Sequence, residues 1–334
     1  MNEPWHHADR SPGMAKPSDP VIDEVLRAAI AAPSLHNAQP WRLRVKNAGS
    51  TVEMLADPDR MLPVSDPQGR AAYIGCGAAL LNLRVAAAAK GVWARVTLAP
   101  DPDEPSLVAR VELHDGYRGT SHDHDLAATI SLRCSNREPY SDEAVPLGIR
   151  TELARAAKSE GCVLRFPDDD EAVRVRRLAA DAERELLENP AYREELARWV
   201  SKERRDDGIA AEALGPRSWV GRDPVRDFAP GRPQPARYAY FEYAPQLAVL
   251  SARADSVPSW IAAGQALERV WLTATCHGIS LCPLTQPLET TDAWLVRDTR
   301  WGLEYPQMIM RMGYGPPVAG RSPRRAVSDV VDWC

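Results

Sequence analysis

Tyr73-Ile74-Gly75-Cys76-Gly77-Ala78-Ala79-Leu80 and Trp260-Ile261-Ala262-Ala263-Gly264-Gln265-Ala266-Leu267 read as one segment written twice. The register continues beyond them: Val85 matches Leu272, Ala87 matches Ala274 and Gly91 matches Gly278, every pair 187 positions apart. Both stretches are apolar at helical spacing and end at a glycine suited to a left-handed C-cap. A second echo precedes each, Val25-Leu26-Arg27-Ala28-Ala29 and Glu152-Leu153-Ala154-Arg155-Ala156-Ala157. Amphipathic helices resemble one another by chance, but two echoes in the same order point to a duplication.

Outward from these helices, the first half predicts a helix at about 20–32, strands at 42–46 and 51–56, the long helix at about 71–90, and strands at 93–98 and 107–113. The second half predicts helices at about 124–133, 147–160, 168–188 and 191–201, with strands at 162–166 and near 245–252. The long helix at 257–277, a helix at 289–299 and a strand at 307–313 complete it. Long helices mixed with short strands, without regular βαβ alternation, indicate an α+β fold. Gly116–Asp125, rich in Gly, Ser, His and Asp, is the best boundary. The expected division is a loose tail over 1–19, half one over 20–118, a linker over 119–128 and half two over 129–334. From about 204 to 235, Asp206-Asp207-Gly208 and recurrent Pro and Gly exclude long regular elements. A connection of this length inside a compact domain is usually functional or disordered. With Trp219 and Phe228 aboard, it is a candidate lid over a pocket.

The bulk properties exclude several classes. The chain has 334 residues, 44% hydrophobic and 26% charged, which is globular and long enough for two domains. A net charge of −5 argues against nucleic acid or an anionic membrane as the main partner, so any anion site must come from local arginines. Arg84 and Lys90 interrupt the longest apolar run, around 73–92, and no membrane span is expected. Six cysteines without a CxxC pair fit a reducing cytoplasm better than a zinc site or a disulfide framework. His122-Asp123-His124-Asp125 has metal-ligand chemistry, but no further ligand-rich segment accompanies it, and it reads as a solvated connector.

Candidate binding residues fall in four segments. Ala32-Pro33-Ser34-Leu35-His36-Asn37-Ala38-Gln39-Pro40-Trp41 follows the first helix, and its two prolines prevent helical continuation. Ser34, Asn37 and Gln39 can present hydrogen-bonding groups to a planar polar ligand, while Trp41 enters a strand and reads as core. Arg133-Cys134-Ser135-Asn136-Arg137 sets two guanidiniums about a hydroxyl, a donor set suited to phosphate. Gly278-Ile279-Ser280-Leu281-Cys282-Pro283-Leu284-Thr285-Gln286 makes a turn after the second long helix. Met310-Arg311-Met312-Gly313-Tyr314-Gly315-Pro316-Pro317 is followed by Arg324-Arg325.

These four segments, in this order over most of residues 20–331, resemble the FMN-dependent nitroreductase superfamily. Their distribution resembles its two-domain, Acg-like branch. The resemblance implies two tandem nitroreductase-like domains, each a mainly antiparallel sheet flanked by helices, packed as an intramolecular pseudo-dimer. It implies that Pro33, Ser34, Leu35, Asn37 and Gln39 grip the isoalloxazine and ribityl chain. Arg133, Cys134, Ser135 and Arg137 would form the phosphate clamp. Pro283, Leu284 and Thr285 would form the turn whose backbone N–H faces flavin N5, and Arg324 or Arg325 would complete the phosphate site. Where many relatives carry Glu, this chain has Thr285. The loop lies only in half one, and the clamp and N5 turn only in half two, which implies one complete site and one FMN per chain, held by a monomer.

The implied reaction is NAD(P)H-dependent reduction of a nitroaromatic or quinone-type acceptor through FMN, an oxidoreductase with a small-molecule partner. No GxGxxG on a βαβ unit supports a Rossmann nicotinamide domain. The other reading is an FMN-binding or sequestering protein with a closed lid and little turnover. Deleting 204–235 separates them: a gated enzyme changes its kinetics, whereas a store mainly releases FMN faster.

Overall fold

The computed structural model describes residues 17–200, 206–220, 225–228, 237–290, 305–318 and 320–334. Most of the expected tail, residues 291–299 of the expected helix at 289–299, and parts of the 204–235 segment lie outside the described residues.

Helix α1 (Asp19–Ile30) has proline in its first turn and buries Ile22, Val25, Leu26 and Ala29 at helical spacing. Strands β1 (Trp41–Lys46) and β2 (Thr51–Ala56) form an antiparallel pair, and Trp41 is fully buried at the entry to β1. Helix α2 (Arg70–Ala89) leads through Gly91, at φ +75°, into β3 (Val92–Leu98) and β4 (Leu107–Asp115). The expected 119–128 linker is mostly helical: α3 (Ser121–Thr129) starts from a capping box in which Thr120 and Asp123 exchange hydrogen bonds. His122-Asp123-His124-Asp125 is therefore the opening of a helix.

The second half begins with α4 (Leu147–Ser159) and β5 (Val163–Arg165), then α5 (Asp169–Glu188) and α6 (Pro190–Trp199). Two short strands, β6 (Arg217–Ser218) and β7 (Tyr238–Ala239), pair in parallel. Strand β8 (Gln246–Ala252), helix α7 (Val257–Cys276), β9 (Ser280–Pro283) and β10 (Tyr305–Gly313) follow, with β11 (Val331–Trp333) near the C-terminus. Helix α7, like α2, is followed by a left-handed glycine, Gly278 at φ +68°.

The two sheets repeat one plan. In the first, strands lie in the order β1-β2-β4-β3, and in the second β5-β8-β10-β9, all antiparallel. Along the chain the elements run α1-β1-β2-α2-β3-β4 and α4-β5-β8-α7-β9-β10. The insertion α5-α6-β6-β7 stands between β5 and β8. One strand departs from the expected division: β11 pairs in parallel with β1, Leu43 opposite Val331, so the end of the chain belongs to the first sheet. The first sheet is thus mixed and the second antiparallel, and with the helices packed on them they make an α+β architecture.

Helices α2 and α7 pack against each other at the centre of the molecule. A Cβ built on Gly77 would stand 2.2 Å from the Ile261 carbonyl oxygen, and one on Gly264 would stand 2.0 Å from that of Ile74. Glycine is thus required at both positions for the backbones to approach. Tyr73 and Trp260, also 187 positions apart, face each other with ring centroids 6.0 Å apart. By length and composition α2 could cross a membrane, contrary to the sequence expectation, because Arg84 alone does not offset its apolar run; in the fold it is a core helix, 78% buried over that window.

Candidate active site

A cavity of about 280 Å³ opens where the two halves meet, near the lower edge of ligand-site volumes. One wall is the loop after α1. It folds back because Ser34 Oγ accepts the Gln39 N–H at 2.8 Å, and because His36, Asn37 and Gln39 take left-handed φ values of +51°, +56° and +53°. Three non-glycine residues in that region within four positions carry strain of the kind associated with functional loops. Pro33, Ser34, Leu35, His36 and Asn37 line the cavity.

The opposite wall comes from the second half. Arg133, Cys134, Ser135 and Arg137 line it, together with Pro283, Leu284 and Thr285 after β9. Ser135 is bridged to Leu281, which ties the clamp segment to β9. Pro283 has no N–H, and the Leu284 N–H donates to the Ile309 carbonyl at 2.8 Å, which leaves the Thr285 N–H as the turn's candidate donor. Of the pair Arg324 and Arg325, Arg324 lines the cavity from the C-terminal segment and Arg325 does not.

At one pole Arg133 and Arg324 converge on a single carbonyl. Arg133 Nη2 donates to the Ala31 oxygen at 2.9 Å and Arg324 Nη2 to the same oxygen at 3.2 Å. Arg133 Nε lies 3.1 Å from Glu268 Oε1, an ion-pair separation without hydrogen-bond alignment. Glu268 is fully buried; burial raises its carboxyl, and Arg133 opposes that shift. Arg324 is pushed down to about 9, by burial first and then by the charge of Arg133, with Glu268 opposing. Two guanidiniums against one carboxylate leave net positive charge, and the buried Arg324 Nε has no partner among the described residues. An anion would relieve both costs.

At the other pole, the ring of Phe228 gathers three nitrogen-bearing side chains. The Arg137 guanidinium lies 4.6 Å over it, that of Arg226 at 5.8 Å, and His36 meets it edge-on at 6.3 Å. Arg137 Nη1 donates to the Ala213 carbonyl at 2.6 Å. Burial, with the like charge of Arg226, lowers Arg137 from its ordinary value. Arg226 Nη2 donates to Glu289 Oε1 at 2.8 Å and to Thr285 Oγ1 at 3.3 Å. The 206–228 stretch is held against the site where it is described: Asn37 Nδ2 donates to the Gly208 oxygen, and Gln39 Nε2 to that of Asp206.

Three expected site residues stand elsewhere. Gln39 is fully buried behind the loop, donating to Asp206 and accepting the Arg325 N–H at 2.9 Å, so it braces the site. Arg325 turns away and donates to the Asp329 carbonyl. Trp219 is 59% exposed and stacks on Tyr238 outside the cavity.

The Nitroreductase family profile matches residues 130–314. Rv3131 of Mycobacterium tuberculosis, which carries an NAD(P)H nitroreductase name, is 34% identical over 95% of this chain and 92% of its own. Acg of the same organism, similarly named, is 29% identical over 93% of this chain and 95% of its own. The chain belongs to the nitroreductase family. Among solved structures, the FMN-dependent nitroreductase NfnB from Mycobacterium smegmatis in complex with NADPH is 15% identical, with a TM-score of 0.40 over 63% of this chain and 99% of that one.

His36, Arg70, Arg226, Glu289 and Trp271 also line the cavity and were not among the expected site residues. His36 stood inside the quoted loop, and a histidine among ligand-facing polar residues was signal enough. Trp271 was hidden in an apolar helix, where aromatic residues normally mean core. Arg226 and Glu289 stand 63 positions apart, in two irregular segments that no periodicity marks.

Proposed function

We propose that the protein is an FMN-dependent NAD(P)H oxidoreductase that reduces a nitroaromatic or quinone-type acceptor. The observation that carries this reading is the pole formed by Arg133 and Arg324: buried excess positive charge with an unspent donor, in a cavity also walled by the Pro33–Asn37 loop. These residues fit FMN. Arg133, Arg324 and Ser135 would hold the phosphate, Pro33, Ser34, Leu35 and Asn37 the ribityl chain and ring edge, and the Thr285 N–H would face N5. Bound FMN supplies the hydride chemistry. Arg137, held by the Ala213 carbonyl, would favour negative charge on a ring lying beside it. Ile209, Leu214 and Phe228, from the segment over the cavity, exclude water.

The fused pseudo-dimer is part of this proposal. In a two-fold interface, if residue i touches j of the partner, j touches i. Gly77 against Ile261 and Gly264 against Ile74 obey that rule at the 187-residue offset, and the matched pair Tyr73–Trp260 meets itself, as residues near an axis do. The repeated strand order supports the same reading, with one FMN per chain between the halves and a monomer sufficient to hold it. All six cysteines are free thiols, which fits the proposed reducing cytoplasm.

The test is the visible spectrum of FMN-supplemented, desalted protein before and after anaerobic NADPH or NADH. The expected outcome is one FMN per chain, bleached by a reduced nicotinamide. A bound flavin that no nicotinamide bleaches would favour the storage reading instead, and a stoichiometry near two would sink the single-site architecture.

A further inference from the structure

His36 is 4% exposed, lines the cavity and has no hydrogen-bond partner for either ring nitrogen among the described residues. A buried imidazole left this way forfeits the hydrogen bonds it would make in water. Its backbone, at φ +51°, adds a further cost. The rest of the loop is spent on the protein: Asn37 on Gly208, Pro323 and Arg324, Gln39 on Asp206 and Arg325, Ser34 on Gln39. His36 alone keeps both of its groups unspent. Near the same Phe228 ring, Arg226 Nη1 is also buried without a partner among the described residues, while its Nη2 is fixed by Glu289 and Thr285. Two unspent nitrogen donors thus flank one aromatic side chain, away from the Arg133–Arg324 pole.

We propose that His36, assisted by Arg226, binds the electron acceptor, donating a hydrogen bond to the oxygen of a small aromatic carbonyl or nitro compound. Burial and the charges of Arg226 and Arg137 keep the imidazole neutral, with one N–H donor and one lone-pair acceptor. The ring of Phe228 marks the slot: an aromatic acceptor that displaces it meets the same three nitrogen-bearing groups. The inference rests on the flavin reading above and assigns the second ligand of that site.

The test titrates FMN-loaded protein with acetophenone, an aromatic ketone, and with toluene, which lacks the oxygen, following the bound-flavin spectrum. His36→Phe keeps a planar ring and removes both nitrogens; His36→Gln restores an amide donor. The expected result is acetophenone binding weakened at least tenfold in His36→Phe and largely recovered in His36→Gln, with toluene affinity and FMN retention unchanged. Equal acetophenone affinity in wild type and His36→Phe overturns the assignment. So does loss of FMN, or a shifted spectrum before titration, in His36→Phe, which would put His36 on the flavin. Wild-type protein that retains no FMN overturns the flavin reading and the inference together.

Discussion

The two flanks of the α2–α7 pair share one plan and end in opposite chemistry. Trp271 lines the cavity; 187 positions earlier stands Arg84, whose Nη1 donates to Glu160 Oε2 at 2.8 Å. Asn82 has Arg269 as its counterpart, and Arg269 Nε donates to the other Glu160 oxygen at 2.6 Å. Glu160 follows α4 as the ligand-facing loop follows α1. On this flank the space bordered by Arg84 and Arg269 is only about 40 Å³. One corner is open and keeps unspent donors. The other is closed by a carboxylate shared between two guanidiniums. An identical path of strands and helices therefore does not dictate a site; the residues at the helix ends do.

The largest expected effect is at the closed corner. Glu160→Gln leaves Arg84 and Arg269 buried without their carboxylate, which costs about 3–5 kcal/mol by the usual scale for a broken buried pair. Urea denaturation measures it, and FMN stoichiometry should stay at one. Burial pushes the Glu160 carboxyl up, but Arg84 and Arg269 outweigh it and the net shift is downward. The pair thus contributes stability that is fully present above the ordinary glutamate range and lost as pH falls through the depressed value. The acid limb of the stability curve should accordingly flatten in Glu160→Gln. A stability loss below about 0.5 kcal/mol in Glu160→Gln would overturn the idea that this carboxylate holds the corner closed.

Next comes the axis between the corners. Gly264→Ala puts a Cβ against the Ile74 carbonyl and forces the helices apart, at a cost of about 1–3 kcal/mol. Because the cavity straddles the two halves, FMN affinity should fall with stability. If the melting temperature is unchanged, the close crossing is wrong. At the open corner, Arg324→Gln should weaken FMN binding by roughly 10–100-fold, the equivalent of about 1.5–3 kcal/mol for a charge-assisted contact, with little loss of fold stability. Removing a guanidinium whose charge is only partly balanced also removes a strain on the fold. Unaltered FMN affinity, read by flavin fluorescence, would take the phosphate away from this pole.

The comparison also separates what the sequence shows from what it hides. The repeated helices were legible because burial on both faces leaves long apolar runs at helical period, and β1, β2 and β4 because they alternate or run apolar between turn residues. Strand β9 was not, since four residues ending in proline carry no periodicity and gain order only by pairing with β10. Strand β11 was invisible for a related reason: three residues become a strand only against β1, at the far end of the chain. In the site, residue types announced the arginines and the loop, but not their direction. Arg324 and Arg325 are adjacent and alike, and only the path of the chain sends one into the cavity. The left-handed loop contains no glycine to advertise it, so the retreat of Gln39 behind it was unreadable.

The smallest effect sharpens the boundary of the open corner. Trp219 and Phe228 belong to the same irregular segment, and nothing in the residue pattern tells them apart. The fold does: Phe228 lines the cavity between His36 and Arg137, whereas Trp219 stacks on Tyr238 at 4.6 Å between centroids, largely in solvent. Trp219→Ala should therefore change stability by no more than about 0.5 kcal/mol, the ordinary range for surface sites, and leave the FMN dissociation rate within twofold. Phe228→Ala, by contrast, opens a path for water to Arg137 and should speed FMN release. The dissociation rates of the two variants, measured side by side by flavin fluorescence, decide whether the segment acts as one cover or through a single ring. If Trp219→Ala releases FMN as fast as Phe228→Ala, the whole segment is the cover, and the cavity's wall extends beyond the residues that now line it.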